Sequence, residues 1–155
     1  DDILGFKKIK NSVGGVKLAT GEMCQNRIVF KQFLENKSLD FCQIDSCRLA
    51  SLNEIIPIML IASKLNIPII AHAGGVGLCE YVQHLNIINK LIISNNDTYL
   101  SEYAESCSEH LINPAKIQNG NYITPTESGY SAIIKDESIY KFEFPNGDYW
   151  VSVSQ

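Results

Sequence analysis

Four times along the chain a short apolar run ends in a polar residue and gives way to a stretch with helical spacing. Val13 to Ala19 is closed by Thr20-Gly21-Glu22. A helix is expected from about Arg27 to Glu35, with Ile28, Phe30, Phe33 and Leu34 on its buried side. Phe41 to Ile44 ends in Asp45, after which Ser51-x-x-Glu54 reads as a capping box in front of a helix over Ile55 to Leu65. Ile67 to Ala71 ends in His72, and Gly74-Gly75-x-Gly77 leads into a helix from Leu78 to about Leu85. Leu91 to Ser94 ends in Asn95-Asn96-Asp97, before a helix through roughly Thr98 to Leu111.

Runs this uniformly apolar suit parallel strands covered on both faces, and strand alternating with helix predicts right-handed βα units. A barrel or a solenoid would accommodate the spacing, about one unit every 25 residues. A whole (β/α)₈ barrel takes about 250 residues, so four units amount to half of one. The reading is therefore α/β, with half of a TIM-type barrel over residues 1–112. Residues 113–155, rich in Pro, Gly, Tyr and Ser, form an irregular tail with a hairpin near Pro145-Asn146-Gly147. Tyr122, Tyr130, Tyr140, Tyr149 and Trp150 are expected to pack on barrel helices or on a capping domain outside the chain.

Composition narrows the partners. A formal net charge of −4 without a long basic run argues against nucleic acid or an anionic membrane. The longest apolar stretch, Ile55 to Ala62, is too short to span a bilayer. Five cysteines without a Cys-x-x-Cys pair suggest reduced thiols of an intracellular protein rather than disulfides or structural zinc. Cys47 and Cys79 are read as small packing residues. The opening Asp1-Asp2-Ile3-Leu4, with no Met, suggests a piece of a longer protein with any targeting segment upstream.

Glu22, Asp45, His72 and Asp97 each close a predicted strand, the end of a barrel where active sites lie. A lone carboxylate there more often caps a helix or meets solvent, and a lone histidine more often donates to a backbone carbonyl. The regular recurrence is what points to a site. His84 and His110 fall within helical stretches and read as surface residues. The glycines at 74, 75 and 77 suit either an anion-binding helix start or a tight turn, and lack the full dinucleotide fingerprint. Ser46 and Arg48 are explained equally by substrate contact and by capping or surface pairing.

Three stretches resemble a known family: Ala19-Thr20-Gly21-Glu22-Met23-Cys24-Gln25-Asn26-Arg27, Gln43-Ile44-Asp45-Ser46-Cys47-Arg48, and His72-Ala73-Gly74-Gly75-Val76-Gly77-Leu78-Cys79-Glu80. Their order and spacing are similar to the mandelate-racemase branch of the enolase superfamily, L-fuconate dehydratases above all. The resemblance runs from Asp1 to about Trp150 and makes the four units strands five to eight. It implies that Glu22 is the third Mg²⁺ ligand, Asp45 the carboxylate orienting the histidine, and His72 the general acid/base. Asp97 then stands where the family has a Glu, one methylene shorter.

The implied activity is Mg²⁺-dependent dehydration of a sugar acid such as L-fuconate to a 2-keto-3-deoxy acid. Removing a proton α to a carboxylate needs strong stabilisation of the enediolate, and this superfamily pairs a Lys or His base with Mg²⁺ for it. A β-hydroxyl leaves only with a proton, which an imidazole titrating near neutrality can supply. By the resemblance, a strand-two lysine takes the C2 proton and His72 protonates the leaving 3-hydroxyl. That lysine and the first two metal ligands are not among these residues, so the chain alone is expected to be inactive. Racemisation or epimerisation uses the same histidine–carboxylate pair and stays open, as does a non-catalytic relative with a binding role. The open edges and uncovered inner face of a half-barrel predict association with the missing N-terminal half or with further copies, and a mitochondrial location is implied only by the family.

Overall fold

The structure, a computed structural model, describes residues 2–93 and 100–153. It opens on a helix the apolar runs do not signal, α1 (Ile3–Ser12), capped by Asp2, whose carboxylate accepts from the Gly5 amide at 2.8 Å. Ile3 and Phe6 turn inward, and Phe6 meets Phe33 edge-on with ring centroids 5.6 Å apart. Asp2 followed by apolar residues at 3 and 6 was the available signal.

Three parallel strands follow in the order β1 (Ala19–Thr20), β2 (Phe41–Ile44), β3 (Ile69–Ala71). They alternate with α2 (Arg27–Glu35), α3 (Leu52–Lys64) and α4 (Leu78–Ile88). The register pairs Thr20 with Cys42, and Ile44 with Ala71. Most of the expected first strand, Val13 to Leu18, is a connection instead. Gly14 and Gly15 interrupt it, Gly15 at φ +81°, and only its end pairs with β2.

Alternation along the strands separates two faces. Cys42 and Ile44 of β2 and Ile69 and Ala71 of β3 are buried under the helices, where Phe30, Phe33, Leu34, Ile55, Ile58 and Met59 complete the core. Gln43 and Ile70, neighbours in register, face the other way and are half-buried. Ile28 does not join the core; it is exposed, whereas Phe30, Phe33 and Leu34 form the buried stripe of α2.

The predicted capping box is only half formed. The Ser51 hydroxyl accepts from the Asn53 amide at 3.2 Å. The Glu54 carboxylate reaches instead to α2, where it accepts from the Arg27 amide at 3.0 Å and pairs with the Arg27 guanidinium at 3.5 Å. A carboxylate is favoured at that position because the first amides of a helix lack partners.

The fourth unit is not built as the pattern predicts. Asn89–Ile93 continues α4 as a π-helical segment, so Leu91 to Ile93 is not a strand. A short apolar run fits helix and strand equally, and a helix satisfies its backbone without a neighbouring strand. Residues 100–107 carry no helix, and a single 3₁₀ turn, Ser108–His110, is all that forms within the described part of the expected 98–111 helix.

In the tail, Asn119-Gly120 turns a small hairpin, β4 (Ile117–Gln118) against β5 (Asn121–Tyr122), with φ +52° and +74° at the turn. Asn-Gly favours this two-residue turn because both residues tolerate positive φ. The hairpin expected at Pro145-Asn146-Gly147 is absent; that segment links α5 (Asp136–Phe142) to α6 (Asp148–Val153). The tail aromatics mostly pack on one another, Tyr149 and Trp150 with Phe142 and Phe144. Tyr130 does meet a barrel helix, packing tilted against Tyr81 and edge-on to His84 of α4.

Candidate active site

Each of the first three predicted residues stands just past a strand end: Glu22 two residues after β1, Asp45 one after β2, His72 one after β3. The three therefore share the C-terminal edge of the sheet. The fourth, Asp97, lies outside the described residues.

His72 is held from both sides of the strand. Its amide donates to the Ile44 carbonyl at 2.7 Å, extending the β2–β3 ladder by one bond. Its Nδ1 lies 2.7 Å from Oε2 of Glu102, a residue that sequence spacing does not single out. The same Oε2 accepts from the Ala73 amide at 2.8 Å and from Nε2 of Gln43 at 3.3 Å. Both side chains of the pair are partly open to solvent, His72 at 22% and Glu102 at 34%. A reactive imidazole needs this combination of a fixed ring and an accessible edge.

The segment carrying Glu102 is fastened by side chains rather than by helical bonds. The Tyr122 hydroxyl donates to the Glu102 carbonyl at 2.7 Å, and Asn86 donates to the Ser101 hydroxyl at 2.7 Å. The Cys79 thiol reaches the Ala104 carbonyl at 3.2 Å. Carbonyls taken by side chains in this way are withheld from a helix ladder, which accounts for the missing helix over 100–107.

Asp45 is in register to sit beside His72, since Ile44 pairs with Ala71. The expected pairing is nevertheless not made: no hydrogen bond or ion pair joins Asp45 to His72. β2 ends at Ile44, and the buried Asp45 carboxylate turns back on its own loop to accept from the Cys47 amide at 2.6 Å. Local capping of this kind competes well with a longer-range partner for Asp.

Glu22 is half-buried and makes no hydrogen bond or ion pair among the described residues. Gly21 before it is at φ +134°, and a Cβ there would meet the Gln43 carbonyl oxygen at 2.6 Å. A side chain would thus force β1 away from β2. Among the described residues, no three His, Cys, Asp or Glu side chains gather as a metal would require. The described residues do not by themselves fit a complete Mg²⁺ site, for which Glu22 is the expected ligand among them.

The glycine loop after His72 is a tight turn. The Gly75 amide donates to the Ala73 carbonyl at 3.0 Å, and Gly77, at φ +74°, starts α4. Of the cysteines, Cys24, Cys42 and Cys79 are buried and Cys47 and Cys107 exposed. Burial pushes the Cys42 thiol far up, as for an inert packing residue. His84 is not a surface residue as expected: its Nε2 is buried without a hydrogen-bond partner and its ring stands on Tyr130. His110 is partly exposed and bonds the Ser138 hydroxyl at 3.0 Å.

Comparison with known proteins places this geometry. Residues 1–138 match the family model described as enolase C-terminal domain-like. L-galactonate dehydratase of Hypocrea jecorina is 46% identical over 147 residues, which are 94% of this chain and 32% of that protein. Mitochondrial enolase superfamily member 1 of Homo sapiens is 46% identical over 153 residues, 97% of this chain and 34% of that protein. The crystal structure of the human protein superposes with a TM-score of 0.92 at 45% identity, over 99% of this chain and 35% of that one. L-talarate dehydratase of Polaromonas sp. JS666, solved with Mg and L-glucarate, shares the fold alone, with a TM-score of 0.67 at 15% identity over 88% of this chain and 35% of its own. The chain thus spans about a third of the length of the curated relatives it matches. Its α/β architecture matches the C-terminal barrel half of enolase superfamily structures. The chain belongs to the enolase C-terminal domain-like family.

Proposed function

We propose that this chain is the strand-five-to-eight portion of a longer sugar acid dehydratase, a lyase that converts an L-fuconate-like acid to a 2-keto-3-deoxy acid. The observation carrying this reading is an imidazole held by a carboxylate at the C-terminal rim of parallel strands, with one ring edge open. The likeness to an L-galactonate dehydratase favours a sugar acid as the substrate class.

In the proposed reaction a base outside this chain takes the C2 proton of the sugar acid. Protonated His72 gives its proton to the 3-hydroxyl, the C3–O bond breaks, and water leaves. The resulting enol loses its 2-hydroxyl proton and gains one at C3, becoming the 2-keto-3-deoxy acid. A carboxylate behind the ring stabilises the imidazolium before transfer, as in other His–carboxylate pairs. Bound Mg²⁺ would supply charge stabilisation for the enediolate, with Glu22 as this chain's contribution to its ligands and the rest from outside it. Asp45 and Asp97 are proposed to act at the same rim, Asp45 through its loop and Asp97 beside the enediolate. We place the protein in mitochondria on the strength of the relative's name alone.

The test is to incubate the full-length protein with Mg²⁺ and, in turn, L-fuconate and L-galactonate, and to assay for a 2-keto acid. Keto acid from either supports dehydration and ranks the substrates. Exchange of the C2 proton with solvent but no keto acid would replace this reading by epimerisation. Neither product nor exchange with any sugar acid would remove catalysis altogether.

A further inference from the structure

We propose that the N-terminal end of the sheet carries a second binding site, a cavity that takes an amphipathic organic anion, with Lys17 and Lys37 holding its charged group. The site lies at the opposite end of the strands from Glu22, Asp45 and His72, and it does not depend on the function proposed above.

The cavity, about 370 Å³, opens where α2 and α3 end and where β2 and β3 begin. That volume falls within the range of small-molecule sites, roughly 300–1,000 Å³. Its apolar lining comes from buried Leu34 and Leu39 and from half-buried Phe41, Ile67 and Pro68. Leu65, at the same cavity, is left 40% exposed. Apolar surface of this kind favours the hydrocarbon part of a ligand over water.

Charge decides which ligand fits. Three lysines, Lys10, Lys17 and Lys37, line the cavity against two carboxylates, Glu35 and Asp40. Neither carboxylate is free. Glu35 lies 3.7 Å from Lys31, one turn back on α2, and Asp40 accepts from the Leu18 amide at 2.9 Å and pairs with Lys10 at 3.1 Å. Lys10 is fully engaged, since it also donates to the Leu39 carbonyl at 2.7 Å. Lys17 is held loosely, 73% exposed and 4.0 Å from Asp40, and Lys37 is exposed and makes no ion pair among the described residues. Two ammonium groups on long flexible stems beside apolar walls suit a carboxylate or phosphate on an apolar body.

The helix ends that would repel an anion are closed. The Lys37 amide donates to the Leu34 carbonyl at 3.0 Å and the Ser38 amide to the Phe33 carbonyl at 3.1 Å. Asn66 and Ile67 make the same pair of bonds on α3, to Ser63 at 3.0 Å and Ala62 at 2.9 Å. These bonds take up carbonyls that would otherwise stand bare at each C-terminus. Both ends turn through a left-handed residue, Lys37 at φ +53° and Asn66 at φ +56°. Asparagine tolerates that conformation, whereas lysine is strained in it and glycine would be favoured. The strained residue is the one that brings an ammonium group to the cavity.

Isothermal titration calorimetry of the full-length protein without Mg²⁺, using octanoate as the probe, tests the proposal. One saturable site is expected, weakened several-fold in about 0.5 M NaCl because the ammonium groups are solvent-exposed. Octanol lacks the charge and inorganic phosphate lacks the apolar body, so each should bind at least about tenfold more weakly. Octyl phosphate set against octanoate identifies the headgroup the site selects. Lys37→Gly should weaken octanoate binding about three- to tenfold with no loss of thermal stability, because glycine relieves the backbone. The Lys17→Ala/Lys37→Gly double variant should weaken it further. Excess L-fuconate should leave octanoate binding unchanged, since the two ends of the strands do not overlap. No saturable site, an affinity unaltered in the double variant, or displacement by L-fuconate would each overturn the proposal. None of these arms uses turnover, so a protein without dehydratase activity would sink the earlier reading and leave this one standing.

Discussion

At Gly74 an added Cβ would lie 2.6 Å from Cε1 and 2.7 Å from Nε2 of His72. Carbon atoms do not approach so closely, and the three nearest atoms all belong to the ring. The missing side chain therefore reserves the space that the imidazole occupies. Gly74→Ala should push the ring off Glu102 while leaving the helices and strands alone, since the loop is exposed and the clash is with a side chain. Its expected signature is an unchanged far-UV spectrum together with loss of the downfield Nδ1–H proton. Activity of the full-length protein should fall by at least about tenfold, because small displacements of a catalytic group are costly. A variant with the resonance and activity intact would show that the ring has room the geometry denies it. The importance of Gly74 is invisible in sequence, where a turn glycine and a glycine making way for a ring look the same.

Among the elements, Asp40 ties the start of the sheet together. Its carboxylate accepts from the Leu18 amide at 2.9 Å, pairs with Lys10 of α1 at 3.1 Å, and lies 4.0 Å from Lys17. Burial pushes this carboxyl up, but the Leu18 amide and the two ammonium groups outweigh it and hold it below the usual aspartate value. Since the folded state lowers this pKa, the stabilisation is present above the unfolded value, about 4, and fades as pH falls through the folded one. Asp40→Asn should cost about 1 kcal/mol at pH 7, measured by urea unfolding, with the difference from wild type closing as pH falls through the lowered carboxyl value. A difference that stayed constant down to pH 2 would mean the loss is one of packing, not charge.

The same scale shows what the sequence could reveal. α2, β2 and α3 were legible because their apolar residues recur at one period and their caps, Asn26 and Ser51, are in place. The run at 91–93 was not, because three apolar residues carry no period, and the tertiary partner that would decide it is not next to them in the chain. The site was legible in the same measure. Strand-end position revealed His72, but Glu102 comes 30 residues later from a segment without regular structure, and only three-dimensional convergence identifies it.

For the molecule as a whole, the parallel sheet of three strands has β1 and β3 as its edges among the described residues. Gln43 and Ile70 line a face that the described helices leave half-open, in contrast to the buried one. This is the arrangement expected of strands that continue into a closed barrel, where further strands would pair with both edges and the inner face would be filled. It agrees with a chain that spans about a third of its curated relatives and superposes on one of them at a TM-score of 0.92. The proposed site follows the same logic, with the acid/base residue supplied here and the partner groups by the remainder of the barrel. A crystal structure of the full-length protein with a sugar acid bound measures this directly. The account predicts His72 Nε2 within about 3.2 Å of the substrate 3-hydroxyl, with Nδ1 on a carboxylate behind it. A substrate bound at the rim with the imidazole turned away from that hydroxyl would contradict it.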